Sequence, residues 1–192
     1  MDYLPCTIAV PKRKGHKAAV LMLSGDWAVD LDSLAAGHIV LLVPPRPWSA
    51  GTEAAKSPLQ GNFYLLSLRA QLVGKTILGM RVEDIIAAVD LLRARPDVEH
   101  SSITVYGKGV LGVVVLHAAA LDRRITRVVV EGMPESYRDI VDEPLHRSAA
   151  EIVVPGVLRH YDIPDLIRAI APRPVTVLNS LHPEPLLPHL MK

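Results

Sequence analysis

Residues Ser102 to Gly132 read SITVYGKGVLGVVVLHAAALDRRITRVVVEG, and the fold follows from how this run is divided. Ile103-Thr104-Val105-Tyr106 is β-branched and aromatic, the composition of a buried strand. Gly107-Lys108-Gly109-Val110-Leu111-Gly112 forces a sharp turn, and Val113 to Leu121 is an apolar, alanine-rich segment suited to a packed helix. Ile125 to Val130 is a second buried strand. The whole is a strand-turn-helix-strand unit of the kind that builds parallel sheets.

Two chemistries place a glycine-rich turn between strand and helix. One is the G-x-S-x-G elbow, in which a strained turn lifts a serine above the sheet. In that register Gly109 stands where the serine belongs. The other is the dinucleotide fingerprint G-x-G-x-x-G, which Gly107 to Gly112 satisfies, with Glu131 near the distance expected for a ribose-binding carboxylate. A lone fingerprint is a weak signal, so the rest of the chain has to choose.

Working outward, Thr7 to Val10, Ala18 to Leu23, His38 to Val43 and Val175 to Asn179 read as further strands. Asp32 to Ala36, Asn62 to Val73, Val82 to Arg93 and Ile163 to Ile170 read as helices. Val82, Ile85, Ile86, Val89 and Leu92 share one face, with Glu83, Asp84 and Asp90 off it. Pro44 to Gly51 holds three prolines and is an excursion at the carboxyl end of a strand, where ligand crevices of such sheets lie. Ser136 to Glu151 is a polar segment, and Ser180 to Lys192 an irregular tail. The order predicts an α/β fold: one domain over 1–192 with an open, mostly parallel sheet flanked by helices.

Composition agrees. At 192 residues the chain can bury a sizeable core, and 49% hydrophobic residues with only 4% aromatics leave Ala, Val, Leu and Ile to fill it. A net charge of +1 argues against electrostatic affinity for nucleic acid or acidic membranes. The single cysteine, Cys6, excludes an intrachain disulfide. With no signal peptide visible, a cytoplasmic location is favoured. No pair of histidines has helical metal-ligand spacing, so neither a metal nor another cofactor is expected.

Several stretches then resemble the α/β-hydrolase superfamily, most closely its acetyl-xylan-esterase and dienelactone-hydrolase-like branch of carboxylesterases. They are Leu23-Ser24-Gly25, Val82-Glu83-Asp84 and Tyr106-Gly107-Lys108-Gly109, with Glu151 to Leu158 and Ala171-Pro172-Arg173-Pro174-Val175 the most specific. The resemblance implies a serine at the elbow, an acid after a late strand and a histidine near the C-terminus. Here the first position is Gly109, and His182 falls where the acid belongs, with Glu184 close by. The fold's last strand and helix are expected to be lacking, which leaves a sheet edge and predicts a homo-oligomer formed through it.

The resemblance also implies an oxyanion hole from the Val110 N–H and a donor near Gly25-Asp26. The expected function is a carboxylic-ester hydrolase by lineage, acting on small esters or lactones without the standard triad. Alternatives are a silent binding module of the same fold or a truncated product, or else a dinucleotide-binding domain. Ser24, Asp26 and His182 are the candidate catalytic residues; Gly25, Lys108, Gly109 and Val110 are the candidate oxyanion and substrate-binding positions, with Lys108 able to hold an anionic group. His117 inside the central helix reads as packed or partly exposed rather than catalytic, and His146 and His160 as structural or exposed.

Overall fold

The computed structural model describes residues 6–12, 15–23, 35–46, 63–143 and 149–178. The strands are β1 (Thr7–Ala9), β2 (Lys17–Leu23), β3 (Ile39–Val43), β4 (Val98–Lys108), β5 (Arg127–Glu131) and β6 (Val175–Leu178). The helices are α1 (Tyr64–Leu72), α2 (Ile77–Arg93), α3 (Val110–Leu121), α4 (Tyr137–Asp142) and α5 (Ile163–Ile170). The six strands form one sheet in the order β1-β3-β2-β4-β5-β6. Only β1 is antiparallel to its neighbour. The expected architecture holds, and among the described residues β6 closes the sheet on the β5 side.

Period-2 alternation explains why the strands are apolar throughout. Ala19, Leu21 and Leu23 of β2 join the larger core with α2, α3 and α5, while Val20 and Met22 face the other side with Val40, Tyr106 and Val129. Both faces are covered, as parallel sheets require.

Three boundaries differ from the sequence reading. Helix α2 begins at Ile77 rather than Val82, because Thr76 caps it: its Oγ1 accepts the Gly79 N–H at 2.9 Å. Strand β4 reaches back to Val98 through the polar run Glu99 to Ser102, which pattern alone leaves out of a buried strand. The polar segment after β5 contains α4, started by Ser136, whose Oγ accepts the N–H groups of Arg138 and Asp139. The expected helix at Asp32 to Ala36 and the expected tail at Ser180 to Lys192 lie mostly or wholly outside the described residues.

The two most specific stretches of the resemblance have structural work to do. Arg173 donates to the carbonyls of Ala119, Asp122, Ile125 and Ile170 at 2.7 to 3.2 Å, closing the C-terminal end of α3 onto the start of β6. Glu151 pairs with Arg81 at 2.8 Å, and the Ile152 carbonyl accepts from the Tyr137 hydroxyl at 3.2 Å. Asp162 then ties α4 to α5. Its carboxylate accepts the Ser136 hydroxyl and the N–H groups of Tyr137 and Ile163, while Asp165 accepts the Asp162 N–H. That is a capping box.

Candidate functional site

Strand order locates the crevice before any side chain does. From β2 the chain moves outward to β3, then returns to form β4 on the other side of β2. The sheet therefore reverses direction between β2 and β4, and ligands of open α/β sheets bind outside the carboxyl ends of strands at such a point. Met22 pairs in register with Tyr106. Strand β4 leads at this level through Gly107 into the glycine turn.

The turn has elbow geometry. Gly109 sits between β4 and α3 with φ 58° and ψ −134°, a conformation that L side chains rarely adopt. Its N–H donates to the Glu131 carbonyl at 2.7 Å, and its carbonyl accepts the Gly112 N–H at 3.0 Å. Among the described residues, a Cβ built on Gly109 would meet nothing within 4 Å. Gly107 is the opposite case: a Cβ there would lie 2.6 Å from the Leu111 carbonyl oxygen and 2.8 Å from Val115 Cγ2. Close approach of α3 to the end of β4 demands glycine at 107. Val110 is the first residue of α3, so its N–H has no partner within the helix.

Beside the elbow lies a cluster that the sequence did not disclose. Glu131, 9% exposed, accepts the Tyr106 hydroxyl on one carboxylate oxygen and the Lys108 ammonium on the other, each at 2.6 Å. Burial alone raises the Glu131 carboxyl, but the hydrogen bonds from Lys108 and Tyr106 outweigh it and hold it below the ordinary range. Burial, with Glu131 beside it, pushes the Tyr106 phenol well up, so that group is a neutral donor. The signal was the strand register: Lys108 and Glu131, 23 residues apart, are opposite partners at the ends of parallel strands.

Both oxygens of Glu131 are thus engaged within the chain, and the Gly109 N–H is bonded to the Glu131 carbonyl. Lys108 is held in an ion pair. Ser24, Gly25, Asp26 and His182 lie outside the described residues, as does His146.

His117 is packed, as expected. Only 6% exposed, it donates from Nδ1 to the Val113 carbonyl at 2.8 Å and accepts at Nε2 from the Tyr161 hydroxyl at 2.9 Å. Burial holds its pKa below the ordinary 6.5, against the opposing pull of the Val113 carbonyl. The unfolded chain therefore takes up a proton near pH 6.5 that the folded chain refuses, and stability falls as pH drops below that value. His117→Gln should reduce the loss of urea stability between pH 7.5 and 5.5. Equal losses in the two proteins would show that other groups carry the pH dependence.

Comparison with known proteins fits this geometry. No protein-family model matches the chain. A Bacillus subtilis (strain 168) protein described as "Putative hydrolase YtaP" is 31% identical over 113 residues, 58% of this chain and 38% of that one. A Bacteroides fragilis structure described as a "putative acetyl xylan esterase" superposes with a TM-score of 0.72 at 14% identity. It covers 90% of this chain and 54% of its own. Acetyl xylan esterase 1 from Thermoanaerobacterium gives 0.58 at 20% identity, covering 91% and 62%. The chain thus spans about two fifths to three fifths of the length of these relatives. The fold is α/β-hydrolase-like, and the chain resembles acetyl xylan esterases in it.

Proposed function

We propose that this chain takes small carboxylic esters or lactones at the crevice between β2 and β4 and hydrolyses them by direct attack of water, with no acyl-enzyme at residue 109. The observation that supports this is Gly109 itself: elbow dihedrals, a Cβ position clear of the described residues, and no atom to attack with. Covalent acyl transfer needs an oxygen or sulfur nucleophile beside a base. Water can stand in that space instead. Its oxygen adds to the carbonyl carbon, its proton passes to a base, the carbonyl oxygen takes the negative charge, and the C–O bond to the alcohol breaks as the alkoxide gains a proton. The Val110 N–H is the donor for the developing oxyanion, and Ser24, Asp26 and His182 are the side chains proposed to assist the water.

Stopped-flow hydrolysis of p-nitrophenyl acetate should show no burst, and a fluorophosphonate should not inhibit. A burst equal to the enzyme concentration would overturn the mechanism. Val110→Pro is the sharper probe. Proline at the first helical position keeps helical φ and removes only the N–H. Losing one oxyanion donor costs about 100-fold in kcat or more, so Val110→Pro should fall by that factor while Val110→Ala stays near wild type. Alanine at Ser24, Asp26 or His182 identifies the base; activity surviving all three would remove them from the reaction. Ester binding without turnover would favour the second reading, a silent binding module, which the missing nucleophile also supports.

A further inference from the structure

We propose that Glu131 sets the charge selectivity of the elbow, so that the crevice takes esters whose acyl group is uncharged and rejects those carrying a carboxylate. The inference rests on the ester-binding reading and names the substrate class within it. Lys108 precedes the turn residue, and its side chain, 45% exposed, is the cation nearest to Gly109 in sequence. Alone it would invite an anionic ligand. It is not alone: the Glu131 carboxylate lies 2.6 Å from Nζ.

Glu131 cannot swing away to release that charge. One carboxylate oxygen is held by Lys108 and the other by Tyr106, while its backbone carbonyl holds the Gly109 N–H at 2.7 Å. Three contacts from one residue bind the last residues of β4 and the turn to the end of β5. The assembly carries no net charge, so a ligand carboxylate entering beside it would lose hydration without gaining an unopposed cation. A neutral acyl group loses nothing comparable.

The test is binding of phenyl acetate and of monophenyl succinate, its anionic counterpart, followed by ligand-observed NMR so that no turnover is needed. Wild type should bind the acetate about tenfold or more tightly. Glu131→Gln keeps the shape, removes the negative charge and should shift the ratio toward the succinate by about tenfold, an effect that salt diminishes. Lys108→Met, which removes the cation and leaves Glu131, should move the ratio the other way and serves if the glutamine variant does not fold. Equal affinity of wild type for both probes, or an unchanged ratio in the folded variants, overturns the proposal. Phenyl acetate bound but not hydrolysed leaves it standing and removes only the hydrolytic reading. Neither probe binding removes both.

Discussion

Arg81→Met should destabilise the protein by about 3–5 kcal/mol, the cost of leaving one member of a buried ion pair uncompensated. Arg81 is 1% exposed on α2, an extreme burial for a guanidinium. It survives there because three partners meet it. Its Nε donates to the Arg46 carbonyl at 2.8 Å, Nη1 lies 2.8 Å from Glu151, and the guanidinium stacks 5.2 Å from the centre of the Phe63 ring. A second pair runs alongside, because Asp84, one turn further along α2, receives both Nε and Nη2 of Arg46. Two arginines and two carboxylates thus join three segments near the carboxyl edge of the sheet: the loop after β3, the first turns of α2, and the turn at Ala149–Glu151.

Methionine fills much of the arginine volume, so the loss comes from the contacts of Arg81 with Glu151 and with the Arg46 carbonyl. That origin makes a signed prediction. Glu151→Gln in the Arg81→Met background should recover most of the loss, because the stranded charge is gone, although Glu151→Gln alone strands Arg81 and is itself costly. Urea denaturation of the four proteins gives the coupling directly. Additive losses would show that the pair does not act as a pair.

How far the sequence foretold this depends on the range of each signal. The strands were legible because Val20 to Leu23, Ile39 to Leu41 and Val128 to Val130 are buried on both faces, so unbroken apolar runs are their signature. The elbow was legible because glycine spacing is local. Arg81, Asp84, Glu131 and Glu151 gave no local sign of their roles, since their partners lie 18 to 70 residues away or across a strand register. The start of α2 was lost because Thr76 acts through one hydrogen bond, which leaves no periodicity behind. Glu131 stands out in the sequence only by its distance from the turn, which says nothing of the contacts it makes to Tyr106, Lys108 and the Gly109 N–H.

The second large effect separates the two glycines of the turn. Gly107→Ala should cost about 3 kcal/mol, at the upper end of overpacking penalties. The new methyl would stand 2.6 Å from the Leu111 carbonyl oxygen and 2.8 Å from its carbonyl carbon, and these are backbone atoms in the first turn of α3 that no rotamer change can move. The helix would have to lift from the end of β4, carrying the Val110 N–H with it. Gly109→Ala meets no atom of the described residues within 4 Å; its cost is conformational, about 1–3 kcal/mol for a non-glycine residue held at φ 58°. Gly112 is intermediate, with a Cβ 3.1 Å from that of Met133. Thermal or urea unfolding should therefore rank Gly107→Ala as the more damaging change, and ester binding should survive Gly109→Ala better than Gly107→Ala. If Gly109→Ala proved the worse of the two in both measurements, α3 would not be held against β4 as described, and the space above residue 109 could not be where an ester carbonyl meets the helix.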